Sequence, residues 1–323
     1  MAKWTVQDIP DQAGRLAVVT GANSGLGLAT ARELARHGAR VVLACRSEER
    51  GATALAGLEA SVPRADARLE LLDLGDLASV RAFAERLSAQ EAGLDLLINN
   101  AGIMAVPFAK TADGFESQFG TNHLGHFALT GLLLDLLRAR PGARVVTVSS
   151  GMHRIGRIRF DNLNGERRYM RWLAYGQSKL ANLLFTFELE RRAKAAGLAL
   201  DAYASHPGYA ATNLQTSGKG WLDHVWAAVG NTVFAQSAEH GAWPSLYAAT
   251  TPDLPGGSFV GPDEWMEMRG SPHVVVPISA ALDEETAKRL WERSEELTGV
   301  TYAFGPDDAG RASASGPILR SET

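Results

Sequence analysis

The sequence predicts an α/β protein: a doubly wound parallel sheet with helices on both faces. Three observations predict it. Short apolar runs alternate with amphipathic, helix-length segments from Arg15 to Ser205. The first apolar run stops at a glycine-rich turn, the place where such sheets receive ligands. The apolar runs are also nearly continuous, as strands covered on both faces must be.

The elements follow in order. Arg15 to Thr20 reads as a buried strand, and Gly21-Ala22-Asn23-Ser24-Gly25-Leu26-Gly27 as the turn after it. Leu28 to His37 has helical periodicity, with Gly38 as its C-cap, and Arg40 to Cys45 is the second strand. Strand, turn, helix and strand form a right-handed βαβ unit. The alternation continues: helix over Ala52 to Ser61, strand over Ala67 to Leu74, helix over Leu77 to Ala89, strand over Leu94 to Asn99. One or two helices are expected within Ala112 to Arg138, then a strand over Ala143 to Ser149, a long helix over Arg171 to Ala196 and a strand over Leu200 to Ser205. Beyond His206 the regularity fades, apart from a final helix over Ala281 to Leu297; Gly305 to Thr323 is polar and expected to fray. No linker or repeat divides the chain, so one domain over 1–304 is expected.

Composition excludes several function classes. The net charge of -4 on 323 residues leaves no basic footprint for nucleic acid. No apolar run reaches about 18 residues, so no membrane span is expected. Cys45 is the sole cysteine, which excludes an internal disulfide and fits a cytoplasmic location. His123, His126 and His153 come without an H-E-x-x-H pattern or cysteine pairs, so they read as packing or surface residues and no metal is expected.

Two stretches carry chemistry. In the glycine turn, small residues let the backbone approach a pyrophosphate whose charge rests at a helix N-terminus. The residue closing the second strand reports on the cofactor, since an acid there binds the ribose 2′-hydroxyl of NAD(H). Here Cys45 stands in that place and Arg46 follows, suited to a 2′-phosphate, so NADP(H) is expected in preference to NAD(H). The second stretch is Tyr175-Gly176-Gln177-Ser178-Lys179, which puts a tyrosine and a lysine on one helix face. A nearby ammonium stabilises a phenolate and lowers its pKa, which lets a tyrosine exchange protons with an alcohol oxygen. Alone, such a pair is commonplace on helix surfaces.

The glycine turn, Asn99-Asn100-Ala101-Gly102 after the fourth strand, and Tyr175-x-x-x-Lys179 together resemble the short-chain dehydrogenase/reductase family, with its Rossmann-type sheet. The likeness runs from about Arg15 to Thr212 and more weakly to about Val300. It is greatest to the retinol dehydrogenase-like and WW-domain-oxidoreductase-like branch, in Leu43-Ala44-Cys45-Arg46, Asn122-His123-Leu124-Gly125-His126-Phe127, Ser178-Lys179-Leu180-Ala181-Asn182, Leu290-Trp291-Glu292 and Ser294-Glu295-Glu296-Leu297-Thr298-Gly299. The resemblance implies roles. Tyr175 would be the general acid/base, and Lys179 would bind the nicotinamide ribose and lower the tyrosine pKa. Ser150 would hold the substrate oxygen, and Asn122 would keep a proton-relay water. Gly21, Asn23, Ser24, Gly25, Leu26, Gly27, Arg46, Asp73, Leu74, Asn100, Ala101, Gly102, Pro207, Gly208 and Thr212 would bind the cofactor, with Asp73 at the adenine amino group and the last three at the carboxamide end.

The expected function is hydride transfer between NADP(H) and the hydroxyl or carbonyl carbon of a mostly apolar small molecule, in a monomer or homo-oligomer. The alternative is a cofactor-sensing or partner-binding protein that kept the fold without turnover. Two further segments stand out. Twenty-five positions separate Ser150 from Tyr175, more than in many family members, so Gly151 to Leu173 must loop out, to wall the substrate site, to cover a helix face that simpler members use for dimerisation, or as a solvated loop. Asn213 to Gln236 holds Trp221, Leu222, Val225, Trp226 and Val229 at helical spacing and reads as a substrate lid at about 213–240, or as a helix packed on the core.

Overall fold

The computed structural model describes residues 3–208 and 237–305. The first half is the predicted alternation: β1 (Leu16–Thr20), α1 (Gly25–Arg36), β2 (Arg40–Cys45), α2 (Glu48–Ser61), β3 (Asp66–Leu71), α3 (Leu77–Gln90) and β4 (Leu96–Asn99). Then come α4 (Ser117–Phe119), a π-turn (Gly120–Leu124), α5 (Gly125–Leu132), α6 (Leu134–Arg138), β5 (Ala143–Val148), α7 (Arg171–Ala195) and β6 (Leu200–Ser205). The described residues end with α8 (Ala238–Thr250), β7 (Phe259–Glu264), β8 (Arg269–Val274) and α9 (Glu284–Thr298). Residues 213–236 of the expected lid and the tail after Gly305 lie outside the described residues, while Ala238 to His240 open α8.

The sheet order is β3-β2-β1-β4-β5-β6-β7-β8. Every pairing is parallel except β7 with β8. The order reverses between β1 and β4, so the crevice for a ligand opens at their C-terminal ends. Burial explains the continuous apolar runs. On β1, Leu16 and Val18 face one core with Val42, Leu97 and Val145, while Ala17 and Val19 face the other with Val41, Leu43 and Ile98. The first core is closed by α3, α5, α7 and α9 through Phe83, Phe127, Phe185 and Trp291, and the second by α1, α2 and α8 through Leu34, Leu58 and Leu246.

Three sequence expectations change. β3 stops at Leu71, so Asp73 and Leu74 lie beyond the strand. The helix expected from Ala112 starts at Ser117, because the Glu116 carboxylate accepts the Gln118 and Phe119 N–H groups at 2.9 and 2.8 Å. The ladder then slips by one residue over Gly120–Leu124, where a Cβ on Gly125 would come within 2.4 Å of the Leu74 carbonyl oxygen. Finally, α8, β7 and β8 fill the stretch that looked irregular. Pro244 sits inside α8, and Pro262 pairs with Pro272 across β7 and β8. Prolines of that kind mask helix and strand signals, and those of the hairpin survive because β6 pairs only with Phe259 and Val260 of β7 and leaves the rest of that side unpaired.

Segment 151–173 is folded. Its Leu163 is buried with Phe115, Phe119, Leu180 and Leu183, its Arg159 N–H is accepted by Gln177 of α7 at 3.0 Å, and Tyr169 O–H donates to the Val106 carbonyl at 2.8 Å. It packs on α7 and is not a solvated loop.

Candidate active site

The site lies where β1, β4 and β5 end and α7 begins. Tyr175 is in the second turn of α7 and 6% exposed. Ser150 follows β5 as the cap of a short 3₁₀ turn, and its Oγ accepts the Met152 N–H at 3.2 Å. The Ser150 side chain faces the Tyr175 phenol and favours its ionised form. Lys179, one turn beyond Tyr175, has its Nζ 5.7 Å from the Tyr175 ring centroid. It donates to the Val148 carbonyl at 3.0 Å, a carbonyl that also accepts from Asn182 Nδ2 at 3.1 Å. Ser149 Oγ donates to the Lys179 carbonyl at 2.8 Å, which pins the end of β5 to the helix.

Asn122 lies in the π-turn and is fully buried. Its side chain bonds Ile103 both ways, accepting the N–H at 2.8 Å and donating to the carbonyl at 2.9 Å. It also donates to Ser178 Oγ at 3.0 Å, and Ser178 Oγ donates to the Tyr175 carbonyl at 2.8 Å. A Cβ on Gly102 would lie 3.1 Å from Asn122 Oδ1 and 3.5 Å from Lys179 Nζ. The fold thus gathers Gly102, Asn122, Ser150, Tyr175 and Lys179 at one place. Ser178, which ties Asn122 to the tyrosine turn, was not singled out in the sequence; its position between Tyr175 and Lys179 was the available signal.

Electrostatics corrects one expectation. Lys179 was expected to lower the Tyr175 pKa, but burial pushes the phenol up to about 12, opposed only by the Ser150 hydrogen bond. Burial also brings the Lys179 ammonium down to about 8. Both groups lie in a dry site that disfavours their charged forms. The ammonium bonds the Val148 carbonyl and not the phenol, so desolvation wins.

At the glycine turn, Gly21 (φ +67°) and Gly25 (φ +55°) occupy left-handed backbone. Gly27 is packed, since a Cβ there would be 2.5 Å from the Gly21 carbonyl oxygen and from Asn100 Nδ2. Asn100 Nδ2 donates to the Thr20 carbonyl at 2.8 Å, and the Asn100 and Ala101 N–H groups both donate to Thr20 Oγ1 at 2.9 Å. Ser24, the exposed N-cap of α1, makes no side-chain cap, and Asn23 and Leu26 are half-buried beside it. Cys45 is buried and its thiol is pushed up to about 11 by desolvation, against a hydrogen bond from the Ala22 backbone. Its side chain therefore sits under the turn. Arg46 is exposed at the rim and pairs with no acid among the described residues.

Asp73 is half-buried and accepts the Gly75 N–H at 2.9 Å, and Leu74 is buried beside it. Pro207 and Gly208 follow β6 half-buried, Gly208 with φ +67°; Thr212 lies outside the described residues. The β7–β8 hairpin, unrecognised in the sequence, reaches this rim. Its Glu267 accepts from Arg154 at 2.8 Å and lies 3.1 Å from His206 Nε2. The His206 hydrogen bond, helped by Arg154, holds the Glu267 carboxyl down at about 2. His123, His126 and His153, expected as packing or surface residues, are all buried.

A family model described as short chain dehydrogenase matches residues 15–222. The chain is 45% identical over 291 residues to retinol dehydrogenase 12 of Mus musculus, covering 90% of this chain and 88% of that one. It is 40% identical over 310 residues to polyprenol dehydrogenase of Mus musculus, covering 94% and 89%. A crystal structure of a protein from Mycobacterium Paratuberculosis shares 49% identity with a TM-score of 0.79, covering 94% of this chain and all of that one.

Proposed function

Since the chain belongs to the short-chain dehydrogenase family, we propose that it is an NADP(H)-dependent oxidoreductase that interconverts a carbonyl and a hydroxyl on a mostly apolar small molecule. One observation carries the proposal. The buried Tyr175 faces the half-buried Ser150, with the Lys179 Nζ 5.7 Å from the tyrosine ring centroid. Two hydroxyls placed so converge on a single substrate oxygen, one to transfer a proton and one to support developing charge.

The residues present fit a dinucleotide. The first turn of α1 has N–H groups with no side-chain cap, behind two glycines in left-handed backbone. Arg46, exposed just after β2 and without an ion pair among the described residues, suits a 2′-phosphate, and Asp73 and Leu74 would serve the adenine side. In this reading Asn100, Ala101, Gly102 and Lys179 would serve the ribose side and Pro207 and Gly208 the carboxamide side. A bound nicotinamide supplies or takes the hydride.

The chain's own residues handle the proton. Tyr175 Oη gives its proton to the substrate oxygen in reduction and takes one in oxidation. Ser150 Oγ–H bonds the same oxygen. Asn122 fixes Ile103 and, through Ser178, the backbone of Tyr175. Burial keeps the phenol protonated well above neutrality in the cofactor-free chain, the form that gives a proton in reduction. Retinol and polyprenol, in the names of the relatives, are both apolar alcohols, which supports an apolar substrate.

Following NADPH consumption with a homologous series of aldehydes and ketones tests the function. The expected result is turnover that improves with chain length, by up to about 0.8 kcal/mol per buried methylene, and is abolished in Tyr175→Phe with NADPH binding kept. A Tyr175→Phe protein retaining more than about a tenth of kcat would remove the tyrosine from the mechanism. NADPH binding without turnover across the panel would favour a sensor.

A further inference from the structure

His126 is fully buried in α5, one helical turn after Asn122, and the proton-transfer scheme above gives it no task. Both its ring nitrogens are engaged. Nδ1 lies 3.0 Å from the Asn122 main-chain carbonyl oxygen, and Nε2 lies 2.9 Å from Thr20 Oγ1. A carbonyl can only accept, so Nδ1 carries the proton. The other end agrees. Thr20 Oγ1 already accepts two N–H groups, from Asn100 and Ala101, each at 2.9 Å. A hydroxyl has two lone pairs, so a third donor has no place on it. Its one hydrogen has a choice between His126 Nε2 at 2.9 Å and the Ile98 carbonyl at 3.3 Å, and the shorter contact makes Nε2 the acceptor. The ring is thus a neutral imidazole of one tautomer, and burial holds its pKa down at about 4, with His123 and Lys179 the charged or titratable groups that face it.

A directed chain results. The Asn100 and Ala101 N–H groups donate to Thr20, Thr20 O–H donates to His126, and His126 Nδ1–H donates to the Asn122 carbonyl. A second strap runs behind it, from Asn99 Nδ2 to Thr130 Oγ1 at 3.0 Å and from Thr130 Oγ1 to the His126 carbonyl at 2.8 Å. At one end, Thr20 stands immediately before the glycine turn and holds the strand end expected to line the cofactor. At the other, Asn122 lies in the π-turn, where the helical ladder is out of step.

We infer that His126 is a positioning residue that couples the cofactor floor at Thr20, Asn100 and Ala101 to the Asn122 turn, through one tautomer of a neutral ring. The inference rests on the proposed oxidoreductase reading of the site.

Two amide substitutions separate the two bonds. His126→Asn keeps a donor near the Nδ1 position and loses the acceptor for Thr20. His126→Gln reaches toward Thr20 and loses the donor to Asn122. His126→Asn should weaken NADPH binding about tenfold, the scale of one buried hydrogen bond, with kcat little changed. His126→Gln should lower kcat by a similar factor with NADPH affinity near wild type. Amide hydrogen exchange should show faster exchange at 100–101 in the first and at 120–125 in the second. If wild type turns over no carbonyl, the proposed reaction fails, while the affinity and exchange split still decides the coupling. Should either amide variant not fold, Thr20→Val should weaken NADPH about tenfold and Thr20→Ser should restore it. Equal losses of thermal stability in both variants, with affinity, kcat and the local exchange pattern unchanged, would overturn the inference.

Discussion

The Lys179 ammonium lies 5.7 Å from the centre of the Tyr175 ring and gives its hydrogen bond to the Val148 carbonyl, not to the phenol. The lysine is therefore a buried charge held near the tyrosine by the backbone of β5, and its burial costs the folded state free energy.

Lys179→Met should accordingly abolish turnover and stabilise the protein. The Val148 carbonyl keeps its Asn182 donor, so the substitution leaves no buried acceptor bare. Below about pH 8 the folded chain holds the ammonium and bears the full penalty. Between there and the ordinary value of 10.5 the folded lysine sheds its proton while the unfolded one keeps it, so wild-type stability recovers. The gain in the variant should be about 1–3 kcal/mol at pH 7 and shrink as pH rises toward 10.5. Thermal melts of the two cofactor-free proteins at several pH values check this; a variant less stable at pH 7 would contradict it.

The pH dependence of carbonyl reduction follows from the same pair. The Tyr175 proton is retained to about 12, and Lys179 is the first of the two to deprotonate, near 8. The buried His123 and His126 stay neutral, since burial lowers them to about 3 and 4. kcat/KM for reduction should be level from about pH 6 to 7.5 and fall by one proton above about 8. A break near 6.5 would point to a histidine instead.

Arg46→Ala should weaken NADPH by about ten- to a hundredfold and leave NADH unchanged, because the lost charged hydrogen bonds go to a phosphate that only NADPH carries. The side chain is exposed and makes no ion pair among the described residues, so thermal stability should not move. Fluorescence titrations with both cofactors decide it; equal losses would make Arg46 structural.

Tyr169→Phe should loosen segment 151–173. Its hydroxyl donates to Val106 and accepts from Gln118 Nε2 at 2.8 Å, and Gln118 keeps a second acceptor in the Arg171 carbonyl. The bare Val106 carbonyl should cost about 1–3 kcal/mol, and limited trypsin digestion should cut faster after the exposed Arg167 and Arg168. Unchanged digestion would show that Leu163 packing alone holds the segment.

The sequence by itself determined the six parallel strands β1 to β6 and which groups stand at their rim. Continuous apolar runs such as Leu96–Asn99 between amphipathic helices admit little else, and Gly21, Gly25 and the Tyr175–Lys179 spacing are local backbone and helical-face facts. The tertiary structure decided the rest. α8, β7 and β8 were illegible because Pro244, Pro262 and Pro272 oppose their elements locally and are tolerated only by position. The π-turn at Asn122 arises where Gly125 meets the Leu74 carbonyl, a contact between distant segments. The Tyr175 pKa could not be read from i, i+4 spacing, since spacing gives proximity to Lys179 but not the burial that overrides it. The tautomer of His126 likewise depends on Thr20, more than a hundred residues earlier in the chain. Spacing along a chain fixes which groups share a face; how dry that face is, and which hydrogen bonds are left for each group, depends on everything packed against it.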